Sequence, residues 1–180
     1  MAERRSRIVA LLLALVTAAA GVLALASPAG AVPPGSPIFV YFDDLNRLCI
    51  QPYGGSVDAG AAVVLEPCHE DAIQSWIRDD LGGGVIHYRN VNSNLCLDAY
   101  GSARTGTPVI QWPCNSISNE RWQPIRLHDG SDDLDNKIVS RVSGTSSYCL
   151  DVPWYQEAVD LQVQIARCNG TGAQIWYEYA

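Results

Sequence analysis

From residue 38 onward the apolar residues fall in short β-branched and aromatic runs closed by polar turn residues, not at helical spacing. Ile38-Phe39-Val40-Tyr41-Phe42, Val85-Ile86-His87-Tyr88 and Lys137-Ile138-Val139-Ser140-Arg141-Val142 are such runs. Val63-Val64-Leu65, Val109-Ile110-Gln111-Trp112 and Leu161-Gln162-Val163-Gln164-Ile165 form a second set. Side chains of this kind suit a pleated, half-buried surface, so each run predicts a strand. Gly54-Gly55, Gly60, Gly82-Gly83-Gly84, Gly101 and Gly106 punctuate the sequence between them. The pattern predicts an all-β chain.

The N-terminal stretch reads differently. Arg4, Arg5 and Arg7 precede nineteen uncharged residues, Ile8 to Ala26, and Ala29-Gly30-Ala31 follows. A basic head, an apolar centre and small residues at peptidase spacing predict a secretory signal segment over 1–31. Nineteen residues could just span a bilayer as an anchor, but the cleavage pattern favours export and a soluble mature chain from Val32. No second apolar run of membrane length follows, and an oxidising destination sets how the cysteines are read.

The six Cys stand at 49, 68, 96, 114, 149 and 168, with within-pair spacings of 19, 18 and 19. From the second Cys of each pair to Trp76, Trp122 and Trp176 the distance is 8 each time. A spacing repeated three times without error marks three internal repeats, about 38–82, 83–128 and 136–180. Repeat symmetry leaves two regular disulfide schemes. One closes each repeat on itself, and the other links successive repeats and needs Cys168 to return to Cys49 in a closed ring. The equal short loops favour Cys49–Cys68, Cys96–Cys114 and Cys149–Cys168.

Composition narrows the function. The net charge is −7, and Lys137 is the single lysine, so the basic stripe that a nucleic-acid partner requires is missing. His69, His87 and His128 share no repeat position and no metal spacing, and read as surface or loop residues. The acidic stretch at 128–135 fits no EF-hand loop and reads as solvated. We therefore expect neither metal nor cofactor.

Cys96-Leu97-Asp98 and Cys149-Leu150-Asp151, the paired cysteines, and the endings Gln74-Ser75-Trp76 and Gln174-Ile175-Trp176 carry a resemblance. Glu120-Arg121-Trp122 is the variant ending of the middle repeat. Over about residues 38–179 the chain resembles the ricin-type β-trefoil lectins and related carbohydrate-binding modules. The resemblance implies a β-trefoil of three lobes and twelve strands, six closing a barrel and six capping it. It also implies one disulfide within each lobe and Trp76, Trp122 and Trp176 buried near the pseudo-threefold axis.

In that family a sugar is held by the Asp after Cys-Leu, an aromatic two residues before the second Cys, and an Asn before the Gln-x-Trp ending. A Gln four residues before the second Cys assists. The chemistry is that of an ionised acceptor for neighbouring hydroxyls, a ring face for the C–H side of a pyranose, and an amide that both donates and accepts. The middle repeat matches with Asp98, Trp112 and Asn119 and departs at Ile110 and Glu120. Gln111, beside Ile110, could replace the assisting Gln only if the strand slipped by one residue, which would turn it to the other face. The third repeat keeps Asp151 and Gln164 but has Ala166 and Ala173 at the aromatic and Asn positions, with Trp154 and Tyr155 nearby in the following loop. The first repeat, with Gln51, Glu66 and Ile73, reads as inactive.

These residues predict a secreted, non-catalytic protein that binds galactose- or xylose-type glycans mainly through the middle repeat. Three repeats consume the mature chain and leave no segment for a catalytic domain. The rival reading is a β-trefoil scaffold for a protein partner, such as a protease inhibitor or the targeting subunit of a toxin, with vestigial sugar sites.

Overall fold

The computed structural model describes residues 35–43, 45–69, 71–115, 117–127 and 134–178. The expected signal segment and residues 128–133 of the acidic loop lie outside the described residues. Each lobe contributes four antiparallel strands. The first has β1 (Ser36–Tyr41), β2 (Arg47–Pro52), β3 (Val63–Pro67) and β4 (Ser75–Asp80). The middle lobe has β5 (Ile86–Asn90), β6 (Cys96–Ala99), β7 (Thr107–Trp112) and β8 (Trp122–Arg126). The third has β9 (Leu134–Ser140), β10 (Tyr148–Asp151), β11 (Gln164–Arg167) and β12 (Trp176–Glu178).

Pairings β1–β4, β4–β5, β5–β8, β8–β9, β9–β12 and β12–β1 close a ring of six strands, the barrel. Closure removes the sheet edges that would otherwise invite association. Hairpins β2–β3, β6–β7 and β10–β11 cap one end. The caps interlock cyclically. Gly60 N–H donates to the Gln111 carbonyl at 2.8 Å, Gly106 N–H to that of Ile165 at 3.0 Å and Asp160 N–H to that of Leu65 at 2.9 Å. This lateral bonding shortens one predicted strand. Residues 161–163 serve the neighbouring cap, with Val163 N–H on the Val63 carbonyl, and β11 starts only at Gln164.

The core lies where the lobes meet. Trp76, Trp122 and Trp176 are buried, and each indole N–H donates to an equivalent carbonyl, that of Ile50 (3.1 Å), Leu97 (2.9 Å) and Leu150 (2.9 Å). A buried indole needs such a partner, which is why Trp recurs in one orientation. Disulfides join Cys49–Cys68, Cys96–Cys114 and Cys149–Cys168, with Cα separations of 5.0, 5.0 and 5.1 Å. The scheme is therefore the one within repeats. Loops of this length give each bond roughly 3 kcal/mol in the chain-entropy picture.

Candidate functional site

Cap-hairpin register aligns the three lobes residue by residue. Gln51 faces Val64, Asp98 faces Ile110 and Asp151 faces Gln164. A second side chain reaches this point from the turn before each core Trp: Gln74, Glu120 or Gln174. The three lobes thus pose one problem, how to hold a polar group at the mouth of a hairpin, with three sets of partners.

In the third lobe the carboxylate is held on both oxygens. Gln164 Nε2 donates to Asp151 Oδ1 at 2.8 Å and Gln174 Nε2 to Oδ2 at 2.9 Å. Gln174 is itself fixed, donating to the Arg167 carbonyl at 3.0 Å and accepting from Asn169 N–H at 2.9 Å. Asp151 is 5% exposed, and a carboxylate with about four lone-pair sites keeps acceptor capacity beyond these two bonds. The first lobe shows the same frame without a charge. Gln74 Nε2 donates to Gln51 Oε1 and to the Pro67 carbonyl, each at 2.9 Å, and its Oε1 accepts from His69 N–H at 2.7 Å.

The middle lobe breaks the frame. Glu120 Oε2 accepts from Asn115 N–H at 2.6 Å, as the glutamines do, but a carboxylate has no amide hydrogens to give. The carbonyl of Pro113 takes a bond from Asn115 Nδ2 instead, at 3.2 Å. Ile110 cannot donate either. Asp98, 2% exposed, therefore loses both supports that Asp151 has, and Asp98 Oδ1 and Glu120 Oε1 have no partner among the described residues. Burial pushes Asp98 up to about 6. Burial likewise pushes Glu120 up to about 7, with a further push from the charge on Asp98 and an opposing pull from the Asn115 amide.

His87, expected at the surface, is instead buried in β5, and its Nε2 has no partner among the described residues. A His87 nitrogen, the Cys96 sulfur and a Glu120 oxygen lie within 4.8 Å of one another. That sulfur is bonded to Cys114, so it has no thiolate to offer a metal. A cavity of about 400 Å³ next to His87 is lined also by Leu81, Ser118, Arg121 and Arg141, and none of the expected sugar-site residues lines it.

The remaining expected residues separate clearly. Trp112 is 40% exposed at the end of β7, and a Cβ on Gly60 would meet its ring at 3.6 Å, so one edge rests on the first lobe's cap. Asn119 is half-buried in the 3₁₀ turn Ser118–Glu120. Gln111 does not join them. It is fully buried, donating to the carbonyls of Ser56 (2.8 Å) and Asp58 (2.9 Å) and accepting from the Ser93 hydroxyl (2.7 Å). Its face is fixed by the strand alternation, and it ties two lobes together. Glu120 is fully buried. Gln174 is the residue that sequence reasoning placed only in a motif, although it orients Asp151. The available signal was the contrast between Gln174 and Glu120 at one repeat position.

Residues 40–131 match the family model of the ricin-type β-trefoil lectin domain. No curated protein sequence matches the chain significantly. Among solved structures the chain is similar to a designed threefold-symmetric protein, ThreeFoil, with 24% identity, 81% of this chain and 97% of that one covered, and a TM-score of 0.71. An exo-β-1,3-galactanase from Clostridium thermocellum is similar over 81% of this chain and 30% of its own length, with 25% identity and a TM-score of 0.69. The C-terminal half of an earthworm R-type lectin, solved in complex with GalNAc, shows 15% identity, 81% and 98% coverage and a TM-score of 0.59.

Proposed function

As the chain belongs to the ricin-type β-trefoil lectin family, we propose that it is a secreted, non-catalytic protein that binds galactose- or xylose-type glycans through its middle and third lobes. The middle lobe supplies the exposed ring of Trp112, with Asn119 and Asp98 beside it in the family pattern. The third supplies Asp151 and Gln164. The observation that carries this reading is the Asp151 carboxylate, held on both oxygens by amide donors. A carboxylate fixed before the ligand arrives accepts hydroxyl hydrogens without first losing freedom, and charged acceptors form the stronger hydrogen bonds.

Each site is incomplete by the family pattern, so single-sugar affinity should be weak, about millimolar, or roughly −4 kcal/mol. Polymeric ligands that reach two lobes would raise this through effective concentration. The test is retention of the mature chain on immobilised galactose and on insoluble xylan, followed by a glycan array. Retention should drop when Trp112→Ala or Asp151→Asn is introduced and vanish in the double variant. Unaltered retention in the double variant would refute the two-lobe assignment.

A second reading is a scaffold for a protein partner, either as a protease inhibitor or as a toxin's targeting subunit. Its support is the first lobe, where Gln51 stands in place of a carboxylate and is bonded to Gln74. A protein that binds no glycan on the array and captures a defined protease would decide for it.

A further inference from the structure

The third lobe lacks an aromatic residue at position 166, yet three residues after its carboxylate stands the barest aromatic side chain among the described residues. Trp154 is 90% exposed, so its indole packs against almost nothing. It also sits in the left-handed region at φ +55°, where bulky residues are true outliers. Counting three residues on from Gln51 and Asp98 gives the corresponding positions in the other lobes. Both are glycines, Gly54 at φ +60° and Gly101 at φ +122°. Glycine is the ordinary occupant of such a position because it has no Cβ to clash.

The turn does not need the indole to hold its shape. Tyr155, next in the 3₁₀ turn Pro153–Tyr155, donates its hydroxyl to the Tyr41 carbonyl at 2.8 Å and stacks on Phe42 with centroids 5.2 Å apart. Its ring also lies against Gly172, where an added Cβ would come within 2.9 Å. Val152 N–H bonds the Ala173 carbonyl at 2.9 Å, which clamps the turn to the segment carrying Gln174. Trp154 is therefore an unpacked, strained side chain on a well-anchored turn. Strain kept without compensating packing points to a use outside folding.

We infer that Trp154 is a stacking platform for a pyranose ring, completing in the third lobe the site whose carboxylate is Asp151. This rests on the glycan-binding reading above and adds to it a contact that the family pattern does not include. Three residues of chain span at most about 11 Å, so the indole stays within reach of a sugar whose hydroxyls bond Asp151. The ligand class is a pyranoside with one flat C–H face for the indole and two neighbouring hydroxyls for the carboxylate. An exposed indole in place of glycine has no such value to a chain that binds nothing there.

The experiment compares the parent with Trp154→Gly and Asp151→Asn on immobilised galactose, on insoluble xylan and on a glycan array, with thermal melts alongside. Trp154→Gly should melt at or above the parent's temperature while losing at least fivefold in retention on whichever matrix the parent prefers. Asp151→Asn should weaken retention on that same matrix by a similar factor. In the parent, that glycan should protect part of the tryptophan fluorescence from acrylamide quenching, and the protection should shrink in Trp154→Gly to the share that Trp112 contributes. Equal retention by parent and Trp154→Gly would overturn the platform and leave the glycan-binding reading standing. A melting temperature several degrees lower would also overturn it, by showing that the indole packs. A parent that binds no glycan at all would overturn both.

Discussion

The middle and third lobes share a fold, a register and the sequence Cys-Leu-Asp, yet they hold their aspartates in opposite ways. Asp151 receives two amide hydrogen bonds, whereas Asp98 has a buried oxygen with no partner among the described residues. Two substitutions account for the contrast. Ile110 stands where Gln164 donates, and Glu120 stands where Gln174 donates. Gln and Glu are nearly the same size, but the exchange replaces two N–H donors by a second acceptor. It leaves two carboxyls in a buried site that cannot both ionise cheaply. The aromatic groups are distributed the other way round, with Trp112 in the middle lobe and Ala166 in the third. A site in this fold is thus an assembly of separable parts, and an Asp in the right place is only one of them.

The strongest blow to both lobes alike is Trp122→Ala, or equally Trp176→Ala. Each removes a buried indole and its hydrogen bond, and should cost roughly 3–5 kcal/mol in denaturant unfolding. A loss below about 1 kcal/mol would mean that the core is not shared in this way.

The next largest effect repairs the difference. Glu120→Gln restores the donor toward Asp98 and the Pro113 carbonyl and should stabilise the chain by about 1–3 kcal/mol at pH 7, the usual cost of a buried polar group left unpaired. The parent should show the defect in its pH profile. Asp98 and Glu120 titrate near 6 and 7 in the folded chain, above their ordinary 3.8 and 4.5. The native state therefore binds more protons than the unfolded one across that window. Their contribution to stability is full below about pH 4 and is lost as pH rises through 6 and 7. Glu120→Gln should flatten this slope, and an equally steep profile in the variant would contradict the pairing of Asp98 with Glu120.

A smaller change carries the middle lobe's defect into the third. Gln164→Leu removes one of the two donors on Asp151 and should cost about 1 kcal/mol of stability. It should also weaken third-lobe glycan retention several-fold. The smallest effect on folding is expected from Trp112→Ala, less than about 1 kcal/mol, because the ring is already substantially exposed. Its effect should fall on retention in the middle lobe, and a large loss of stability with unchanged binding would make Trp112 a packing residue.

Much of this was legible along the chain. Three Cys–Cys–Trp spacings marked the repeats and favoured disulfides within them, and the family resemblance implied the buried tryptophans. Trp112, whose counterparts in the other repeats are Glu66 and Ala166, is exposed. His87 and Gln111 were not readable in the same way. A lone His in a short β run gives no sign of which face it takes. Gln111 is engaged by carbonyls more than fifty positions earlier in the chain, at Ser56 and Asp58.

The linear order of residues settled what is covalent or periodic here: the crosslinks, the strand alternation and the recurring core, all of which repeat at intervals that can be counted. Only folding decided how each carboxyl is held and what conformation Trp154 adopts. The partners of Asp151 come from 13 and 23 positions away, and an oxygen's protonation depends on donors and burial that exist only once those segments converge. Backbone strain at one tryptophan likewise has no trace in its identity, because it is imposed by the anchored turn around it.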